Sequence, residues 1–316
     1  MLKVLFAGTP EVAVEPLQTL AQDDHFEVVA VLTRPDAPQS RGRKLKASPV
    51  KQAAIDLGIP VIELDPKDED FIPTITSTGA QIAAVVAYGK ILKKPVIEAI
   101  PMGWFNLHFS LLPQWRGAAP VQRSIWAGDE ITGATVFRIG EGLDDGPTLG
   151  QCTVEISSHE SAGELLRRLS HDGSGLLASC LQGYAQGVVQ LVEQPQGSFE
   201  VANKITVEDA HIRFNAPAFA VDRQIRACTP NPGAWGYLHA DASEDAQVFH
   251  VISAQVDEHY EQNVPQGSLI VSKKHVWVGT AQGVLELLEV KAAGKKAMKA
   301  ADWARGARLA QNAYID

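Results

Sequence analysis

Within the stretch WFNLHFSLLPQWRGAAP, Asn106 and His108 stand two residues apart at the end of an apolar run. Successive side chains of a β-strand alternate between faces, so these two leave the same face and can converge on one substrate atom. Histidine titrates near neutrality and suits proton abstraction from an amine, while a carboxamide N–H can hold an oxygen on which negative charge develops. In parallel α/β sheets ligands bind at the carboxyl ends of strands, and the run ends at His108. The plainer alternative makes His108 a hydrogen-bonded core histidine and Asn106 a turn residue. A metal centre is not expected, because no further ligands stand at the spacing that zinc or a di-metal site requires.

The elements that must carry this pair follow from the pattern around it. KVLFAG, a turn at Gly8-Thr9-Pro10, an amphipathic stretch to Gln22 and FEVVAVLT read as strand, helix and strand. Ser48-Pro49 opens a helix that ends near Gly58, with a short strand at 60–64. QIAAVVAY, a helix near 91–100 and the strand ending in FNLH continue the alternation. Strands buried on both faces and separated by helices imply a mainly parallel Rossmann-like sheet with helices on both faces. A helix near 118–127, the runs GATVFRI and TLGQCTVEI as antiparallel additions, and a long helix from about 161 to 186 complete this catalytic domain, set at residues 1–193. The polar stretch 194–208 reads as a linker. Residues 209–316 hold one helix near 219–228 and short strands punctuated by Gly, Pro and Asn, as in a small barrel or sandwich. The first turn lacks G-x-G-x-x-G, so neither a nicotinamide cofactor nor a dehydrogenase is supported.

Composition sets wider bounds. The 316 residues are 45% hydrophobic and 21% charged, which suits two soluble globular domains. Cys152, Cys180 and Cys228 form neither a disulfide framework nor a CxxC pair, and no window reaches the apolar length of a membrane span. A cytoplasmic protein without a membrane association is expected. The net charge of -9 disfavours nucleic acid overall, yet Arg34, Arg41, Arg43, Lys44, Lys46 and Lys51 face a single acidic residue, Asp36, in the 34–51 segment.

The string N-L-H-x-S-L-L-P-x-W-R-G-A-A-P resembles the signature of folate-dependent formyltransferases, and GLDDGP, carrying Asp144, resembles that family's second catalytic loop. VLFAGTPE, RPDAPQSRGRKLKASPVK, VVAYGKIL, RSIWAGD, PNPGAW and GKKAM are similar to the branch acting on initiator methionyl-tRNA. The resemblance implies 10-formyltetrahydrofolate as the formyl donor, the methionyl amine as acceptor, and a C-terminal OB-like barrel that binds tRNA. It also implies Asn106 as oxyanion donor, His108 as base, and Asp144 as proton relay, as orienter of His108, or as both.

Ser110, Leu111, Leu112 and Pro113 are expected to shape the folate pocket, with Tyr88 and Gly89 at the end of the neighbouring strand. Arg41, Arg43, Lys44 and Lys46, together with Lys295 and Lys296 in the last domain, are expected on tRNA phosphates. No obligate protein partner is implied. Competing readings are a formyltransferase acting on a glycinamide ribonucleotide or amino sugar, a hydrolase of the formyl donor, and a non-catalytic tRNA binder.

Overall fold

The computed structural model describes residues 1–39, 44–241, 245–260 and 262–316. In chain order its strands begin with β1 (Leu2–Gly8), β2 (Phe26–Leu32), β3 (Ala37–Gln39), β4 (Lys44–Lys46), β5 (Val61–Ile62), β6 (Ile82–Val86), β7 (Trp104–His108), β8 (Arg116–Gly117), β9 (Ile131–Arg138), β10 (Thr148–Glu155) and β11 (Val201–Ala202). The series ends with β12 (Trp235–His239), β13 (Gln247–Val256), β14 (Leu269–Val271), β15 (Val276–Gly279), β16 (Val284–Ala292), β17 (Met298–Lys299) and β18 (Tyr314–Ile315). The helices are α1 (Val14–Gln22), α2 (Pro49–Asp56), α3 (Phe71–Ser77), α4 (Lys94–Glu98), α5 (Pro120–Ala127), α6 (Ala162–Ala185), α7 (Ala218–Cys228) and α8 (Ala300–Gly306). None of the described helices is long and apolar enough to cross a membrane.

Two compact units divide the chain, the first made of residues 1–120, 131–155 and 166–202. Its main sheet runs β10-β9-β7-β6-β1-β2-β5. The five strands from β5 to β7 are parallel, whereas β9 runs antiparallel to β7 and β10 antiparallel to β9. The buried strand β6, IAAVV, has no polar residue because helices cover both faces of such a sheet. Edge strand β10 instead alternates its exposure. The chain leaves β1 toward β2 and β5, then crosses back to β6 and β7, which creates a switch point and a crevice at the carboxyl ends of these strands.

On one face of β7, Phe105 packs against Tyr184 of α6 with ring centroids 5.0 Å apart. Gly173 of the same helix lies so close that a Cβ there would stand 3.0 Å from a Leu107 methyl. The period of two then leaves Asn106 and His108 on the other face. Helix α2 starts as expected: Pro49 opens it and the Ser48 hydroxyl accepts from Lys51 N–H at 3.0 Å.

Two elements differ from expectation. Helix α4 begins only at Lys94, because Pro95 suits a first turn and the chain before it is bent by positive φ at Ala87 (48°) and Gly89 (75°). Ile91 and Leu92 are thereby released from the helix. The 194–208 stretch, expected as a linker, contains β11, which pairs in parallel with β8 inside the first unit.

The second unit comprises residues 121–130, 156–165 and 203–316. Its sheet runs β14-β15-β16-β13-β12-β18. Leu269 N–H donates to Ala313 O at 3.0 Å and Ile315 N–H to Gly267 O at 2.9 Å, so the two end strands meet and the sheet closes as a small OB-like barrel. Gly267 permits this seam: its φ is 73° and a Cβ would lie 2.1 Å from Ile315 O.

Candidate active site

Above the carboxyl ends of β6 and β7 lies a cavity of about 500 Å³, within the range of small-molecule sites. Asn106 and His108 form its floor, the 87–92 loop one wall, and the 139–144 loop with Gly117 and Ala118 the other. The walls are largely apolar, and at the rim Ile91 is 90% and Leu143 59% exposed. Glycine opens the second wall: a Cβ on Gly142 would stand 2.0 Å from Asp145 Oδ2. The Asp145 carboxylate thus fills its own turn, and of the two neighbouring aspartates Asp144 is the one that lines the cavity.

His108 is 5% exposed. Its Nε2 lies 2.9 Å from Trp115 O, a pure acceptor, so the proton of the neutral ring sits on Nε2 and the Nδ1 lone pair is free. Nδ1 lies 3.7 Å from Asp144 Oδ2. Burial pushes the His108 pKa below the ordinary 6.5, opposed by the Asp144 charge and by the Trp115 carbonyl. The imidazole is therefore neutral at pH 7, and a proton arriving on Nδ1 meets a carboxylate. Asp144 Oδ2 also accepts from Gly117 N–H at 2.9 Å. The side chain of Asn106, half-buried on the same cavity wall, has no hydrogen-bond partner among the described residues and is left to a ligand. A neutral base, a carboxylate beside its free nitrogen and an unengaged amide can together remove a proton from a nucleophile and hold an oxyanion.

The three residues expected to do chemistry line one cavity, and Tyr88 and Gly89 line it too. Tyr88 is buried, which drives its pKa upward and keeps the phenol neutral. The turn 110–113 follows β7 directly, and its four residues are not among those lining this cavity. Ser110 Oγ donates to Gln114 O at 2.6 Å, and Thr135 Oγ1, whose residue pairs with His108 across the β7–β9 ladder, donates to Ser110 O at 2.6 Å and accepts from Leu112 N at 3.1 Å. This turn braces the end of β7 from behind. These bonds hold Ser110 Oγ, Ser110 O and Leu112 N within the protein.

Of the basic residues, Arg41 and Arg43 lie outside the described residues. Lys44 and Lys46 belong to the hairpin strand β4, where Lys46 is exposed. Lys295 and Lys296 are exposed in the turn between β16 and β17 of the second unit. Lys51 is not available to a phosphate: its Nζ lies 2.7 Å from Asp36 Oδ1 and 2.9 Å from Glu63 Oε2, and these hydrogen bonds raise its pKa. Among the described residues no group of His, Cys, Asp and Glu is clustered for a metal.

Sequence reasoning missed Gln194, which is 5% exposed beneath the 144–146 loop, because it sits in a polar run with no periodic signal. It also passed over Arg116 and Gly117, although both stand inside the string that carries the family resemblance.

A doubly wound sheet with an amide, an imidazole and a carboxylate grouped at its strand ends has the makings of an enzyme site. Residues 2–181 match the sequence model of the formyl transferase family and residues 204–308 that of the formyl transferase C-terminal domain, so the chain belongs to the formyl transferase family. Among its relatives, a protein of Bifidobacterium adolescentis named methionyl-tRNA formyltransferase is 66% identical over 321 aligned residues, covering 100% of both chains. One of the same name from Streptomyces avermitilis is 48% identical and covers 98% of this chain and 97% of its own. A solved sugar 3N-formyl transferase shares the fold with a TM-score of 0.65 at 18% identity, over 94% of this chain and 99% of that one. An N-formyltransferase from Helicobacter canadensis does so with a TM-score of 0.63 at 19% identity, over 94% of this chain and 100% of that one.

Proposed function

We propose that this chain transfers the formyl group of 10-formyltetrahydrofolate to the free amino group of initiator methionyl-tRNA, for translation initiation in the cytoplasm. The observation that carries the reading is the end-to-end similarity to methionyl-tRNA formyltransferases, at 66% identity with full coverage of both chains. The cavity supports the donor half. Its apolar walls suit a flat ring system, and the unengaged Asn106 amide waits beside His108 for the formyl oxygen.

In this reading the amine nitrogen attacks the formyl carbon, and the new carbon–nitrogen bond forms as the carbonyl oxygen takes negative charge beside the Asn106 N–H. The attacking amine surrenders a proton toward His108 Nδ1, where Asp144 stabilises the imidazolium. The same proton can then return to the departing folate nitrogen as its bond to carbon breaks. A free α-amine has a pKa of roughly 8, so a neutral imidazole suits the deprotonation. Arg41 and Arg43, Lys44 and Lys46 of β4, and Lys295 and Lys296 in the barrel unit are proposed to hold tRNA phosphates. Ser110, Leu111, Leu112 and Pro113, in the turn that follows β7, are proposed to shape the folate pocket together with Tyr88 and Gly89.

The test is formylation with 10-formyltetrahydrofolate of initiator against elongator methionyl-tRNA, with a glycinamide ribonucleotide and an amino sugar as further acceptors. Transfer to initiator methionyl-tRNA in clear preference is expected. Preference for a small amine, or donor hydrolysis alone, would overturn the reading.

A further inference from the structure

The geometry points to Gln194, held by Arg116, as the positioning residue that sets the catalytic carboxylate of Asp144 against His108; the role is framed within the formyl-transfer reading. Asp144 has φ 47°, a backbone conformation that non-glycine residues seldom adopt and that surrounding contacts must hold. Gln194 supplies such contacts. Its Nε2 donates to Asp144 O and to Gly146 O, both at 2.8 Å, so one side-chain amide bridges the two ends of the turn. Its Oε1 accepts from Arg116 Nε at 3.0 Å and Nη2 at 2.6 Å.

The amide has only one workable orientation. Flipped, its NH₂ would face a guanidinium that can only donate, and its oxygen would face two carbonyls that can only accept. At 5% exposure water offers little substitute for any of these bonds.

Arg116 connects this clamp to the other half of the site. The residue before it, Trp115, has the carbonyl that accepts from His108, and the residue after it, Gly117, has the N–H that donates to Asp144 Oδ2. Gln194 therefore ties the loop that orients the imidazole to the loop that carries the carboxylate. The strap continues along the chain: Trp115 N–H donates to Glu200 O at 3.0 Å, and Ala118 N–H to Ala202 O at 2.8 Å. A segment between the two matched family stretches thus completes the active site of the first unit.

Gln194→Ala and Gln194→Glu of the full chain provide the test, read by steady-state formylation and by ¹⁵N-glycine spectra without substrate. Glutamate can still accept from Arg116 but sets an oxygen against the two carbonyls, whereas alanine removes both contacts without that repulsion, so the two variants perturb the clamp in different ways. The expected result is a kcat loss of about 10²-fold, the scale of a small misplacement of a catalytic group. Both KM values should stay within about twofold, since neither substrate is proposed to touch Gln194. The glycine amide signal displaced by Asp144→Ala should be displaced in both variants as well. A folded Gln194→Glu with wild-type kcat, or with an unmoved glycine signal and a raised tRNA KM, would overturn the role. A wild-type protein that forms no formyl-methionyl-tRNA would overturn the functional reading instead, while the glycine signal would still decide the positioning.

Discussion

Replacing Asp144 by asparagine preserves the shape of the side chain and an oxygen for the Gly117 N–H, but removes the charge 3.7 Å from His108 Nδ1. Coulomb's law over that distance gives about 1 kcal/mol at bulk-water screening and about 4 kcal/mol at the screening typical of a protein surface. The imidazolium should lose support on that scale, which lowers the His108 midpoint further. The direction is fixed by the opposing influences: burial already holds this midpoint below 6.5, and Asp144 is the charge that resists it. Imidazole carbon–proton NMR, titrated through the acidic range with His108→Gln identifying the signal, measures the shift without interference from the substrate amine. Single-turnover formylation at pH 7 should fall by about 10²–10⁴-fold if the carboxylate relays the proton. A midpoint that stays in place or rises in Asp144→Asn would refute the electrostatic coupling, whatever happens to the rate.

Asn106→Ala should lower kcat by about 10²–10³-fold with melting unchanged, because its amide bonds no described protein group; near wild-type single-turnover rates would remove it from the oxyanion role. Gly117→Ala forces a side chain into φ 122° with its Cβ 2.8 Å from Ala202 O; a stability loss of about 1–3 kcal/mol is expected by denaturant melts, with a fall in kcat as the backbone shift moves the residue 117 N–H away from Asp144. Reversing Arg41, Arg43, Lys44 and Lys46 to glutamate should raise the tRNA KM and flatten its salt dependence by about 0.7–0.9 in slope per lost phosphate contact, leaving donor KM alone. Lys51→Met should instead lower the melting temperature without changing that slope, since its ammonium is spent on Asp36 and Glu63. Below pH 6.5 the wild type should lose stability as protonation of the buried His108 is resisted in the folded state, and His108→Gln should lack that loss.

Much of this protein is determined by rules that act over a few residues. Apolar runs such as IAAVV can lie only between covering layers, Ser48-Pro49 starts a helix because a hydroxyl caps a free N–H, and a period of two puts Asn106 and His108 on one face. Those rules reach as far as the strand end and no further. The 3.7 Å between His108 and Asp144, the unavailability of Lys51 and the internal bracing of residues 110–113 all depend on partners brought in by the fold.

Gln194 shows the limit most clearly. It reads as part of a polar linker, yet it is buried against a loop 50 residues earlier and an arginine 78 residues earlier, contacts for which no local pattern exists. The residue types that can do the chemistry are written along the chain, whereas the distances that let them act together are set by packing between segments far apart in it.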